Sequence, residues 1–271
     1  IDLDAAAHNF KEIRRYVGNR SMVCCVIKAD AYGHGAVRMA EEYEALGADW
    51  LALSNIEEAL QVRRAGIKLP LLVLGYTPAE AADVLAENDI AQCAYSAEYC
   101  AALSENAVKS GVKVKIHVKV DTGMSRLGFY FQDIERDKEA VSVVAEACRR
   151  PGLIPEGIFT HFAVADGGEN GKAFTLKQFS CFMALIAELE KQGVTFKIHH
   201  CANSGAILDY PEMHLDMVRA GVILYGMEPS LSVEHHADFR PVLSLHSVIS
   251  HVKEIERSEE RRVGKECRSR W

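Results

Sequence analysis

The sequence has little that would send it to nucleic acid, to a bilayer or to zinc. Its 271 residues carry 31 Lys and Arg against 38 Asp and Glu, a formal net charge of −7, so no basic surplus exists for a phosphate backbone. A small anionic ligand stays open, since it needs only local positive charge. No apolar run approaches the roughly 20 residues that cross a membrane, and the helix-like opening of the sequence leads to the expectation of no signal peptide. The eight cysteines form no CxxC pair and no zinc-like spacing. Cys24 and Cys25 lie within an apolar run, where packed free thiols are expected, and a reduced, cytoplasmic setting fits that usage. The pairs His199-His200 and His235-His236 invite a metal reading. Neighbouring residues on a strand point to opposite faces, so no metal site is expected. The chain opens at Ile1 rather than Met, and further N-terminal sequence is expected before it.

What is present is an alternation. Ile1 to Val17 reads as a helix, acidic near its start and basic near its end. Val23 to Ile27 reads as a buried strand, and short apolar runs then alternate with helical stretches. Strands are expected at 50–53, 69–75, 90–94, 112–120, 157–162, 196–201 and 217–225. Helices are expected at 36–46, 55–64, 79–87, 97–110, 133–149 and 175–192. Eight strands separated by helices over about 250 residues give an α/β protein, a (β/α)8 TIM barrel. A doubly wound open sheet is the alternative, but no GxGxxG follows the first strand to support it. The barrel domain is expected over residues 1–239. From Arg240 the texture changes: PVLSLHSVISHV, Pro241 to Val252, alternates apolar and polar residues. That reads as the first antiparallel strand of a truncated C-terminal β domain, residues 240–256. Residues 257–271 read as a disordered tail of non-native character and carry no functional weight.

In a barrel, chemistry belongs at the C-terminal ends of the strands. Lys28 ends the first strand and Lys119 the fifth; His161 ends the sixth, Ser204 follows the seventh, and Arg219 lies in the eighth. Each has an ordinary reading: a solvated strand-end charge for either lysine, a packed histidine, a turn or cap serine, and an arginine paired with Asp216. Lys28 also has a sharper one. An amine partly desolvated at the mouth of a parallel sheet deprotonates more easily and can form a Schiff base with an aldehyde cofactor. The glycines around it let backbone pass close to a bound group.

The segment K-A-D-A-Y-G-H-G, Lys28 to Gly35, resembles the cofactor-lysine segment of the alanine racemases. K-V-D-T-G-M-S-R-L-G, Lys119 to Gly128, resembles the second signature of that family, and T-H-F-A-V-A-D, Thr160 to Asp166, resembles the third. A-N-S at Ala202 to Ser204, R-A-G-V at Arg219 to Val222, and Tyr225-Gly226 match its phosphate and ring contacts. The resemblance covers nearly all of the chain to about Val252. It implies a pyridoxal-5′-phosphate enzyme of fold type III that interconverts L-alanine and D-alanine for peptidoglycan, working as a homodimer. Lys28 would carry the cofactor and act as a base. Tyr32, Asn203, Ser204, Gly221 and Val222 would contact the cofactor, its phosphate above all. Arg219 would face the pyridine nitrogen with His161 behind it. Arg126 would bind the substrate carboxylate, and Lys119 would be carbamylated. A second base, a tyrosine from the partner's C-terminal domain, would lie beyond this sequence, which impairs the fragment. Two other readings stay open: a single-barrel protein of pyridoxal-phosphate homeostasis, and a related barrel decarboxylase.

Overall fold

A computed structural model of the chain describes residues 1–254. Its strands are β1 (Met22–Val26), β2 (Trp50–Leu53), β3 (Leu71–Val73), β4 (Ile90–Ala94), β5 (Val114–Asp121), β6 (Phe129–Tyr130), β7 (Leu153–Phe159), β8 (Ile198–His200) and β9 (Met217–Ala220). Setting aside the two-residue β6, which pairs only with β5, the strands are parallel in the order β8-β7-β5-β4-β3-β2-β1-β9. The two ends of that order meet. Asp216 N–H donates to the His199 carbonyl at 3.1 Å, and Arg219 N–H to the Ala202 carbonyl at 3.0 Å. The sheet thus closes, nearly completely, into the expected eight-stranded barrel, with helices outside it.

Two cores result from the period-2 alternation of strand side chains. Outward residues such as Val23, Cys25, Leu51, Leu71 and Val118 pack under the helices. Inward residues Cys24, Val26, Trp50, Ala52, Leu72, Ala91, Ile198 and Met217 fill part of the lumen. Helix ends follow sequence chemistry. Asp2, Asn55, Ser96 and Asn203 cap the helices Leu3–Val17, Ile56–Arg64, Ala97–Lys109 and Ser204–Asp209 by accepting backbone N–H groups.

Several expected boundaries move. The helix expected at 133–149 is Glu139–Cys148, because Asp133 and Asp137 turn the preceding residues by accepting their backbone N–H groups. The helix expected from Thr175 starts at Gly168 and runs to Lys191. Pro241 to Val252 forms no strand. Leu245, Val248 and Ile249 are almost fully exposed, and among the described residues no neighbouring strand supplies the ladder that such a segment needs. The barrel instead keeps hold of the chain to Val242, past the expected boundary at 239. The Asp2 N–H donates to the Val242 carbonyl, and Asn9 binds both the N–H and the carbonyl of Arg240. The tail expected at 257–271 lies outside the described residues.

The pairing of β5 with β7 is irregular. Ile116 faces Pro155, but His117 faces Gly157. Glu156 is the extra residue of a β-bulge, a device that re-aims a side chain. Gly157 is there for space, since a Cβ would lie 2.5 Å from the His117 ring. Gly157→Ala is expected to cost about 1–3 kcal/mol by overpacking, measured by urea denaturation. An unchanged midpoint would show that His117 has room to move.

Candidate active site

The strand after which Lys28 falls ends in an unusual turn. Ala29, Asp30, Ala31 and Tyr32 all have φ between 52° and 55°, one turn of left-handed backbone built from L residues. Such backbone costs roughly 1–2 kcal/mol per residue, so neighbours must enforce it. The Glu58 carboxylate accepts the Ala29 N–H at 2.9 Å and the Ser54 N–H at 2.9 Å. Asp30 accepts the Ala36 N–H at 2.7 Å, and the His34 ring meets the Ala31 carbonyl. Tyr225 stacks against both Tyr32 and His34, and its hydroxyl donates to the Val26 carbonyl. The turn leaves Lys28 half-buried at the barrel mouth.

A cavity of about 430 Å³ opens there, at the C-terminal ends of the strands. All ten residues singled out from sequence line it: Lys28, Tyr32, Lys119, Arg126, His161, Asn203, Ser204, Arg219, Gly221 and Val222. They come from both ends of the sequence because β1 and β9 are adjacent in the barrel. At one end, the Gly221 N–H donates to Ser204 Oγ at 3.0 Å. A Cβ on Gly221 would come within 3.2 Å of the Tyr32 hydroxyl and 3.4 Å of Ser204 Oγ. Glycine therefore keeps open a small cradle of hydroxyls and backbone amide, the donor set that suits a phosphate. Asn203 is partly committed elsewhere, its Oδ1 capping Ala206 and its Nδ2 donating to the Phe162 carbonyl.

At the other end lies Arg219, 4% exposed. It does not pair with Asp216, which holds His199 at 2.7 Å. Its guanidinium donates to the carbonyls of Thr160 and Cys201, to His200 Nδ1 at 2.9 Å and to His161 Nδ1 at 3.3 Å. Burial lowers its pKa to about 10. Lys119, also 4% exposed, has no hydrogen-bond partner for Nζ among the described residues and sits over the Phe159 ring at 4.8 Å. Burial, then the Arg219 charge, push its amine down to about 7. Lys28 is lowered too, by burial first and the Arg126 charge second, against Glu58. Two amines are thus biased toward their neutral, nucleophilic forms. Arg126 is held on the loop after β5, which Asp121 shapes by accepting the N–H groups of Gly123 and Ser125.

Sequence reading did not find three participants. Glu58 and Phe159 carry no motif. His200 was one half of a histidine pair, and the signal lay in β8 itself: in I-H-H, His200 shares the inward face with Ile198, and His199 faces out. Among the described residues, no group of three or more His, Cys, Asp or Glu could hold a metal ion.

The geometry can be set beside known proteins. The model of the family "Alanine racemase, N-terminal domain" matches residues 1–229. The chain belongs to the alanine racemase family. It is 45% identical over 255 residues to alanine racemase from Desulfovibrio desulfuricans, covering 94% of this chain and 67% of that one. The solved alanine racemase of Clostridium difficile 630 in complex with cycloserine superposes with a TM-score of 0.86 at 40% identity, over 94% of this chain and 68% of that one. A histidine racemase from Leuconostoc mesenteroides gives a TM-score of 0.78 at 28% identity, over 89% and 63%. The chain therefore spans about two thirds of the length of these relatives. Within the family barrel the chain keeps three imidazoles neutral: burial holds His117 below, and His161 and His200 well below, the ordinary 6.5.

A stability prediction follows from these rings. The unfolded chain gains protons on them as pH falls through 6.5, and the folded chain does not, so stability drops as pH falls below that value. Thermal unfolding is expected at lower temperature at pH 5 than at pH 7, above the range where most carboxylates titrate. A flat midpoint across that window would mean that the rings are charged when folded.

Proposed function

We propose that this chain is the cofactor-binding barrel of a pyridoxal-5′-phosphate-dependent alanine racemase, an isomerase that interconverts L- and D-alanine. The observation that carries the reading is the shared cavity: a lysine at the end of β1 opposite a buried arginine on β9, with a hydroxyl-and-amide cradle beside them. The walls suit that cofactor. The Gly221 cradle would hold the phosphate, with Tyr32, Ser204, Asn203 and the Val222 backbone around it. Lys28 Nζ, lowered by burial, would hold the aldehyde end. When bound, the cofactor withdraws electrons from the Cα of a joined amino acid and so acidifies its proton.

The residues then divide the work. Lys28 would hold the cofactor and would also move a proton to or from one face of the substrate Cα. Arg126 grips the substrate carboxylate in the bidentate manner suited to a guanidinium. Arg219, donor-only and charged at neutral pH even with its pKa lowered to about 10, would face the ring nitrogen and keep it unprotonated, which would make the bound cofactor a weaker electron sink. His161 steadies Arg219 from the cavity side. Lys119, pushed down to about 7 and so part neutral near that pH, would add through its nitrogen to carbon dioxide and release one proton; the resulting carbamate anion would orient Arg126. The acid–base group for the opposite face of Cα comes from the C-terminal domain of a partner subunit in a homodimer. Alanine rather than a bulkier substrate follows from the 45% identity to an alanine racemase against 28% to a histidine racemase. The product D-alanine would serve peptidoglycan. Seven buried free thiols among the described residues, and no described helix apolar enough to cross a membrane, fit a cytoplasmic setting.

Borohydride reduction of protein mixed with pyridoxal phosphate is expected to label Lys28 alone, read by peptide mapping; a label elsewhere sinks the assignment. In deuterated buffer the loaded protein should exchange the α-proton of alanine without releasing carbon dioxide, which a decarboxylase would release. For Lys119, carbon-13 NMR under labelled bicarbonate should show a carbamate resonance that vanishes in Lys119→Ala. A resonance that persists there would assign the carbamate to another amine.

A further inference from the structure

Beneath Arg219 runs a line of side chains that the proposed reaction does not use. Arg219 Nη1 lies 2.9 Å from His200 Nδ1. His200 Nε2 lies 2.9 Å from His117 Nδ1. His117 Nε2 then faces Glu156 Oε2 at 3.7 Å. These last two atoms are buried and have no hydrogen-bond partner among the described residues. The line thus runs from the cavity wall to the bulge in β7, and the bulge and Gly157 are what admit Glu156 and His117 to it.

Its protons have only one self-consistent arrangement. Arginine only donates, so His200 Nδ1 is bare and its proton sits on Nε2. That N–H donates to His117, whose Nδ1 must also be bare. The His117 proton is therefore on Nε2, aimed at the one carboxylate in reach. Reversing either ring would set two N–H groups, or two lone pairs, against each other in a buried site. Burial holds both rings uncharged. Tryptophan and phenylalanine fix their planes: Trp50 packs on His117, and Phe159 stacks on His200 at 4.7 Å, nearly parallel.

We propose that His117 and Glu156 are positioning residues for Arg219: the carboxylate at the β7 bulge polarises a one-way chain of two neutral imidazoles that holds the guanidinium in place at the cavity. Its bearing on catalysis rests on the assignment of Arg219 to the cofactor ring; the chain itself does not. Arg219 has no carboxylate partner among the described residues, and Glu156 places negative charge behind it at a distance, with two imidazoles between them.

The test is nitrogen-15 NMR of the imidazole rings in the 271-residue chain, with and without added pyridoxal phosphate. His117 and His200 should each show a protonated Nε2 and a bare Nδ1 between pH 6 and pH 8. E156Q, whose amide oxygen can still accept, should preserve that pattern. E156L should shift the His117 Nε2 and His200 Nδ1 resonances while Arg219 still fixes the tautomers. With pyridoxal phosphate bound, the pH dependence of its absorption should move most in E156L and less in E156Q, which keeps an acceptor but not the charge, a gradation that loss of packing alone would not make. A proton on Nδ1 of either ring in the wild-type chain overturns the proposal, as does an E156L in which His200 is unchanged. E156Q decides the matter even where E156L fails to fold: an unshifted His117 Nε2 resonance there overturns the proposal. Failure of pyridoxal phosphate to bind a protein with both expected tautomers would overturn the cofactor assignment and leave the chain of protons standing.

Discussion

A guanidinium held inside a closed barrel, away from water and without a carboxylate against it, is the constraint around which this molecule is arranged. Burying a charge is costly unless every donor is met. Here the donors of Arg219 go to two carbonyls and two imidazoles, and its face lies over Phe159 at 5.3 Å. Those partners come from β7, β8 and the residues just after them, the strands near β9 in the barrel. The lumen is split as a result. From β1 to β4 its inward residues are Cys24, Val26, Trp50, Ala52, Leu72 and Ala91, all apolar. From β5 to β9 they include His117, Lys119, His200 and Arg219. Apolar packing on one side supplies the rigidity, and the other side uses it to hold polar groups at fixed distances.

The second constraint is the left-handed turn after β1. It places Lys28 across from that polar wall, and it is strained locally, so it persists only because its surroundings over-determine it. Glu58, Asp30, His34 and Tyr225 each fix a different point of it. Glu58 matters twice, since it also opposes the depression of the Lys28 amine. Tyr225 links the two constraints: it belongs to the segment just after Arg219 and Gly221, yet it stacks on Tyr32 and His34 and reaches back to Val26. The first and last strands are thereby tied above the sheet as well as within it.

The barrel was legible because its signal is periodic and repeated: short apolar runs ended by small or polar residues, then helical spacing, eight times over. The cavity residues were legible because motif residues fell at strand ends. What stayed hidden has no periodic signal. Ala29-Asp30-Ala31-Tyr32 contains no glycine to announce positive φ, since the turn is imposed by tertiary partners. Glu156 reads as an ordinary polar residue, because a bulge depends on the pairing of two strands and not on either alone. The start at Gly168 was masked by G-G-E-N-G, a stretch that favours loops; there a tight approach, with the Gly171 position 2.1 Å from the Val164 carbonyl for any Cβ, selects glycine inside a helix. Pro241 to Val252 alternates as a strand does, but alternation states only that two faces differ. A ladder also needs a neighbour.

Charge shows why this cavity and this chain are compatible. The protein is acidic as a whole, at −7, yet four basic side chains, Lys28, Lys119, Arg126 and Arg219, converge on one cavity that Asp166 alone lines with a carboxylate. Crowded cations would repel one another if all stayed fully charged. Arg219 keeps its charge at neutral pH even at its lowered value of about 10, and the two lysines give way, Lys119 to about 7. Burial first, and then the same crowding that attracts an anion, loosen the protons of the amines. A site built this way suits a small dianion and leaves an amine able to bond to it, and neither property could be had from a lysine standing alone at the end of a strand.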